Sequence, residues 1–359
     1  MKIKKLFPII AAFVIMWGCE YEDYDDTISS DFHQGTERTG TEEELYQVIY
    51  DHLSRFDYES IKIYGYPNND DIFRVARSVI FDHPELFWVD DSGMSESYPN
   101  NCVDLQFRCI SDGLTVDRIK EMCAEVSEEA YRIKNNVPKD SSDWEKILFV
   151  HDEIVNNSWF QNDDLDDITD TMYGCLVKGR SQSKGYAQAF KYIMELMGYE
   201  CGMFCNKGHT WNYIRLDGRY YWLDLAYDDP NFDVDVSYNF THNYFMCDDE
   251  HFSVNHDLSK GGNRFVPKCD SFDNYYYVVD GSFLSGYDAS DIAEVIRKHN
   301  EEEQVELKFT SSKAYHDAID KLEAGNEISE VMRAQKNKEE LSYWMIDEWN
   351  IIKIILVPE

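Results

Sequence analysis

An imidazole and a carboxylate on one face of a hairpin are the first chemistry this chain offers. Residues 209–216 and 219–227 are rich in Trp, Tyr, Ile and Leu, and they flank Asp217-Gly218, a strong two-residue hairpin signal. That turn pairs 216 with 219, and therefore 209 with 226. Asp224 stands two residues from 226, so it shares a sheet face with His209 as its diagonal neighbour. Diagonal Cβ atoms lie roughly 7–8 Å apart, a span that an imidazole and a carboxylate bridge. A carboxylate placed there fixes the tautomer of the ring and stabilises its charged form.

A base of this kind needs a nucleophile, and Ser183 is the candidate. Residues 184–197 place Ala187, Phe190, Ile193, Met194 and Met197 at helical spacing, and Gly198 is a natural stop. Ser183 would begin this helix as its N-cap. A thiol at a helix N-terminus gains acidity from the helix dipole. A hydroxyl does not ionise near neutral pH, so Ser183 would attack only as His209 removed its proton. No nearby cysteine is an obvious replacement. Cys175 falls in the expected loop before the helix, and Cys205 ends a short apolar run that reads as a strand.

Three separated runs now line up: Ser183-Lys184-Gly185-Tyr186-Ala187, then His209-Thr210-Trp211-Asn212, then Asp224-Leu225-Ala226-Tyr227-Asp228-Asp229-Pro230. Together they resemble the core of bacterial transglutaminase-like, papain-related proteins. In that family a Cys precedes x-Gly-Tyr-Ala, a His precedes x-Trp-Asn, and an Asp precedes x-x-x-Asp-Asp-Pro. Here Ser183 stands in the Cys position, while His209 and Asp224 fit theirs. His83–Phe87 and His151–Asn157 also resemble family segments, and the likeness is tight over 147–230 and looser from 83 to about 280.

The resemblance implies an α+β, papain-like fold in which a helix presents the nucleophile position to an antiparallel sheet bearing His and Asp. Active relatives perform acyl transfer or hydrolysis on amide bonds through a thioester. The oxyanion would be held partly by the backbone N–H at 183, with Tyr173 and Asn212 as candidates for the second donor. Trp211, Tyr186 and Tyr227 are expected to wall the cleft. Two functions follow. One is a non-catalytic binding protein whose cleft holds a peptide, protein, peptidoglycan or glycan. The other is an acyl-transfer hydrolase working through Ser183, His209 and Asp224. Neither calls for a cofactor. His151 is expected to be a packing histidine, since His209 already fills the base role.

The N-terminus speaks to location. Lys2, Lys4 and Lys5 precede a short apolar stretch from Leu6 to Trp17, too short to span a membrane, so residues 1–18 read as a signal peptide. Met16-Trp17-Gly18-Cys19 resembles a lipobox, which would make Cys19 a lipidated N-terminus and a membrane anchor. Residues 19–40 open with Glu20-Tyr21-Glu22-Asp23-Tyr24-Asp25-Asp26 and are expected to be a flexible acidic tether. The acidic run beside the cysteine resembles surface-export signals of some Gram-negative lipoproteins, which points to the outer membrane or cell surface. A formal charge of −35 argues against nucleic acid as a partner, because the phosphate backbone would be repelled.

The remaining chain reads in three parts. Residues 41–138 are mostly helical, opening on the Thr41-x-x-Glu44 capping box, with a helix carrying Ile72, Val75 and Val79, a strand at 102–110 and a helix at 116–134. Residues 139–265 form the transglutaminase-like core, opening on a second capping box, Ser142-x-x-Glu145. Residues 266–359 form a small α/β part with strands at Tyr275–Val279, Val305–Phe309 and Ile351–Val357, and a helix through Tyr315, Ala318 and Leu322. The acidic loop 161–170 lacks the glycine of a calcium loop, and no Cys-x-x-Cys occurs, so no metal site is expected. Eight cysteines beyond Cys19 permit disulfides, which a domain of this size does not require.

Overall fold

The computed structural model describes residues 36–38, 41–57, 60–64, 69–90, 95–97, 102–161, 168–229, 240–260, 265–299, 302, 304–324 and 342–355. The expected signal peptide, Cys19 and the acidic residues 163–167 lie outside the described residues. The protein is mixed α+β, and it divides into two compact units, one within 1–80 and 89–110, the other within 81–88 and 111–359.

The first unit is a small sheet with helices. Strands β1 (Thr36–Arg38), β2 (Ile61–Tyr64), β3 (Ser95–Ser97) and β4 (Cys102–Gln106) lie in the order β1-β2-β4-β3. Thr36–Arg38 was expected in the flexible tether, but its backbone pairs with Lys62–Tyr64. Helix α1 (Glu42–Ser54) starts on the reciprocal Thr41–Glu44 capping box and buries Leu45, Ile49 and Leu53. Helix α2 (Asn69–Asp82) buries Ile72, Val75, Ala76 and Val79. The sheet, rather than helix alone, organises this region; its short strands leave little periodicity to read.

In the second unit, helices α3 (Val116–Asn136) and α4 (Asp143–Asn157) pack beside α5 (Ser183–Leu196). Strand β5 (Trp159–Phe160) pairs in parallel with β6 (Arg180–Ser181) just ahead of α5. Cys175, expected in a loop, lies in a π-helical turn over Gly174–Lys178. Helix α5 is buried on nearly every side, with Tyr186, Ala187, Gln188, Ala189, Phe190, Lys191, Ile193 and Met194 all inside, as a central helix must be. Gly185 is required there, because a Cβ would meet the Ser181 hydroxyl and come within 2.5 Å of the Thr171 carbonyl oxygen.

One face of α5 lies on a three-stranded meander, β7 (Cys201–Asn206), β8 (His209–Leu216) and β9 (Arg219–Leu223). Both hairpin turns place two residues at positive φ: Lys207 and Gly208 at 51° and 81°, Asp217 and Gly218 at 51° and 82°. Such turns match the twist of paired strands and hold the register, so Leu216 pairs with Arg219 as expected. Short helices α6 (Leu225–Asp228), α7 (Asp249–Phe252) and α8 (Tyr276–Asp280) follow.

Tyr275–Val279 was expected as a strand and forms α8 instead. Tertiary contacts override the β-propensity of the run: Tyr276 stacks on His242 at 3.8 Å between ring centroids, and the Tyr277 hydroxyl donates to Glu306 at 2.5 Å. The last layer contains β10 (Phe283–Leu284), α9 (Ala289–Lys298), β11 (Gln304–Phe309), α10 (Ser312–Ala324), β12 (Ser342–Ile346) and β13 (Ile351–Ile355). Its sheet order is β10-β11-β13-β12, and Ile292, Ile296, Leu307, Tyr315, Ile352 and Ile354 fill its core. No helix among the described residues is long and apolar enough to cross a membrane.

Candidate active site

His209 opens β8 and Asp224 follows β9 directly, so the meander brings them together. His209 Nε2 lies 2.5 Å from Asp224 Oδ2. The other carboxylate oxygen, Oδ1, accepts the Tyr227 N–H at 3.1 Å and caps α6. A third group completes the environment: His256 Nε2 lies 2.7 Å from the same Oδ2. His256 is itself fixed by Nδ1, 3.2 Å from the Phe252 carbonyl, and by a 3.8 Å stack on the Phe252 ring.

These contacts decide the charges. Burial alone would raise the Asp224 carboxyl, but the neighbouring His209 charge and the hydrogen bonds from His209 and His256 hold it well below the usual carboxylate range. Burial works against the charged form of His209, yet the Asp224 carboxylate outweighs it and raises the imidazole above its ordinary value. Tyr227 lies against the His209 ring at 4.4 Å between centroids, tilted by 32°, and Trp211 lies at 5.6 Å.

Ser183 is the first helical residue of α5, one position inside the expected cap; Gln182 holds the cap position with no side-chain bond. The Ser183 hydroxyl does not serve its own helix. Its Oγ accepts the Thr210 backbone N–H from β8 at 3.3 Å, and no hydrogen bond among the described residues joins it to His209. Ser183 is only 7% exposed.

Of the three residues expected to wall a cleft, Tyr227 alone reaches the surface, at 36% exposure. Trp211 and Tyr186, expected in the cleft wall, are instead buried. Trp211 is 2% exposed, wedged among Phe204, Phe252 and His256. Tyr186 is buried in α5, and its hydroxyl donates to Asp229 at 2.5 Å. Their size and apolar bodies make them core residues first. Neither candidate for the second oxyanion donor has a side-chain N–H or O–H to spare. Asn212 spends its amide N–H groups on the carbonyls of Ala187 and Gly202, at 2.9 and 3.2 Å. The Tyr173 hydroxyl donates to Glu125 and accepts from Arg118, both at 2.8 Å.

Asp228 and Asp229, the pair that completes the third sequence run, are structural cross-links. Asp228 accepts from Thr241 Oγ1 and the Tyr244 N–H, each at 3.0 Å. Asp229 accepts the Tyr186 hydroxyl and the Phe160 N–H, and burial raises its carboxyl to about 6. Cys175 offers no substitute nucleophile: it is buried, and burial pushes its thiol up to about 12. Cys201, Cys247 and Cys269 are likewise buried free thiols. His256 was missed because it lies 32 positions beyond Asp224 in a run with no spacing or motif to mark it.

No family model matches the chain, and no curated protein matches it. Among solved structures, it is similar to a TGase at TM-score 0.29 and 9% identity, over 59% of this chain and 64% of the other. It is also similar to a "putative protease" from Parabacteroides distasonis at TM-score 0.24 and 12% identity, over 38% of this chain and 35% of that one. The chain thus spans less than two-thirds of either solved chain.

Proposed function

We propose that the chain is a transglutaminase-like protein whose site binds a ligand without performing acyl transfer. It is exported and held to the outer membrane or cell surface through lipid on Cys19. The ligand is a peptide, a protein or a cell-wall glycan that rests against His209 and Tyr227. One observation carries the non-catalytic reading: the Ser183 Oγ accepts the Thr210 N–H and has no hydrogen bond to His209. A hydroxyl needs a base to remove its proton as it attacks, and its neutral oxygen gains little from the helix N-terminus that would activate a thiolate.

A second reading, an acyl-transfer hydrolase through Ser183, His209 and Asp224, has its own support. With Nε2 turned to Asp224, Nδ1 of His209 is left to exchange a proton. A serine-reactive fluorophosphonate separates the two. Intact mass of the mature protein should show no adduct, whereas Ser183→Cys should gain one thiol-alkylator adduct beyond the wild-type count. A fluorophosphonate adduct on Ser183 that vanishes in His209→Ala would sink the non-catalytic reading.

A further inference from the structure

A second cluster of histidines and carboxylates lies apart from the His209 site. His151 and Asp152 are neighbours on α4, and His242 joins them from the segment before α7. His151 Nδ1 lies 2.8 Å from Asp152 Oδ1, and His242 Nε2 lies 3.0 Å from that same oxygen. One ligand atom from each of the three falls within 4.8 Å of the other two.

The far sides of both rings also face carboxylates. His151 Nε2 lies 3.3 Å from Asp228 Oδ2, with both side chains fully buried. His242 Nδ1 lies 3.3 Å from Glu306 Oε1, near enough for charge attraction but out of line for a hydrogen bond. A neutral imidazole has one donor and one acceptor nitrogen, so His151, with a carboxylate at each nitrogen, cannot satisfy both. Protonating both rings would place two buried cations with centroids 5.5 Å apart. One divalent ion between two neutral rings carries the same total charge without that repulsion. Asp228 would then fix the tautomer of His151, as partners of metal-bound histidines do.

We propose that His151 Nδ1, His242 Nε2 and Asp152 Oδ1 bind a divalent transition-metal ion of the zinc class. Two imidazole nitrogens and one carboxylate oxygen suit such an ion, and three protein ligands leave one position open. Tetrahedral bonds of about 2.0–2.2 Å separate ligand atoms by roughly 3.3–3.5 Å. The observed 2.8 and 3.0 Å therefore open by only about half an ångström on loading. Asp152 and His242 line a cavity of about 800 Å³ that also includes Trp144, Phe240 and Tyr276. The open position is filled from that cavity, by water or by an oxygen or nitrogen donor of a small ligand. The site is independent of whether Ser183 reacts.

The test uses the tag-free chain, stripped with a chelator and reloaded with Co2+ or Zn2+. We expect one ion per chain by metal analysis, with visible Co2+ absorption of a four-coordinate site. Asp152→Asn, which preserves shape, and His242→Gln should each weaken binding roughly 100-fold or more, while His209→Ala should not. Without any variant, Zn2+ should shift the ring resonances of His151 and His242 in the wild-type chain. Failure of the wild type to take up a stoichiometric ion would overturn the proposal. So would shifts confined to His209 and His256, or binding lost in His209→Ala and kept in His242→Gln.

Discussion

His256 Nε2 sits 2.7 Å from Asp224 Oδ2, the same oxygen that His209 reaches at 2.5 Å. The carboxylate therefore divides its negative charge between two imidazoles, and the properties of His209 depend on a residue far along the chain.

Removing the competitor should strengthen the remaining pair. We expect the His209 ring to titrate at higher pH in His256→Asn than in the wild type, since Asp224 then serves one imidazole. NMR titration of the His209 ring protons reads this directly. A downward shift would mean that His256 supports Asp224 rather than competing for it.

Stability should follow the same pair with a defined sign. Asp224 is held below its ordinary range, so its contribution is present above about pH 4 and fades as pH falls through the lowered value. His209 is raised, so its contribution is complete below about pH 6.5 and is lost as pH rises through the higher value. The wild type should thus exceed Asp224→Asn most between about pH 4 and 6.5, by about 1–3 kcal/mol, and by less in alkali. Chemical denaturation between about pH 4 and pH 9 measures the difference. A difference that grows above neutrality would contradict a charged His209 in this pair.

The buried contact that seats α5 can be tested without changing a polar side chain of the site. Gly185→Ala drives a methyl group into the Ser181 hydroxyl and into the Thr171 carbonyl, and the carbonyl is backbone that cannot swing aside. A loss of about 1–3 kcal/mol is expected in urea unfolding. A neutral result would show that α5 does not approach the Thr171 carbonyl this closely.

Some of this was legible in the sequence because it is local. Asp217-Gly218 dictates a two-residue turn, the turn sets the 216–219 register, and the register brings His209 to Asp224. The helical period of 184–197 and the capping boxes at Thr41 and Ser142 carried over for the same reason. Elsewhere the local signal misled. Tyr275–Val279 has the composition of a strand, yet its tyrosines are claimed by His242 and Glu306 in a helical turn. Trp211 and Tyr186 read as cleft walls and are core.

The sequence by itself determined the hairpin, the helix and the His209–Asp224 pair, each set by residues within one turn or one period. Only the tertiary structure decided what surrounds them. Thr210 meets Ser183 across 27 residues, His256 meets Asp224 across 32, and His242 meets Asp152 across 90. Contacts at such separations depend on how whole layers pack, and a side chain's spacing from its neighbours in sequence carries no record of them.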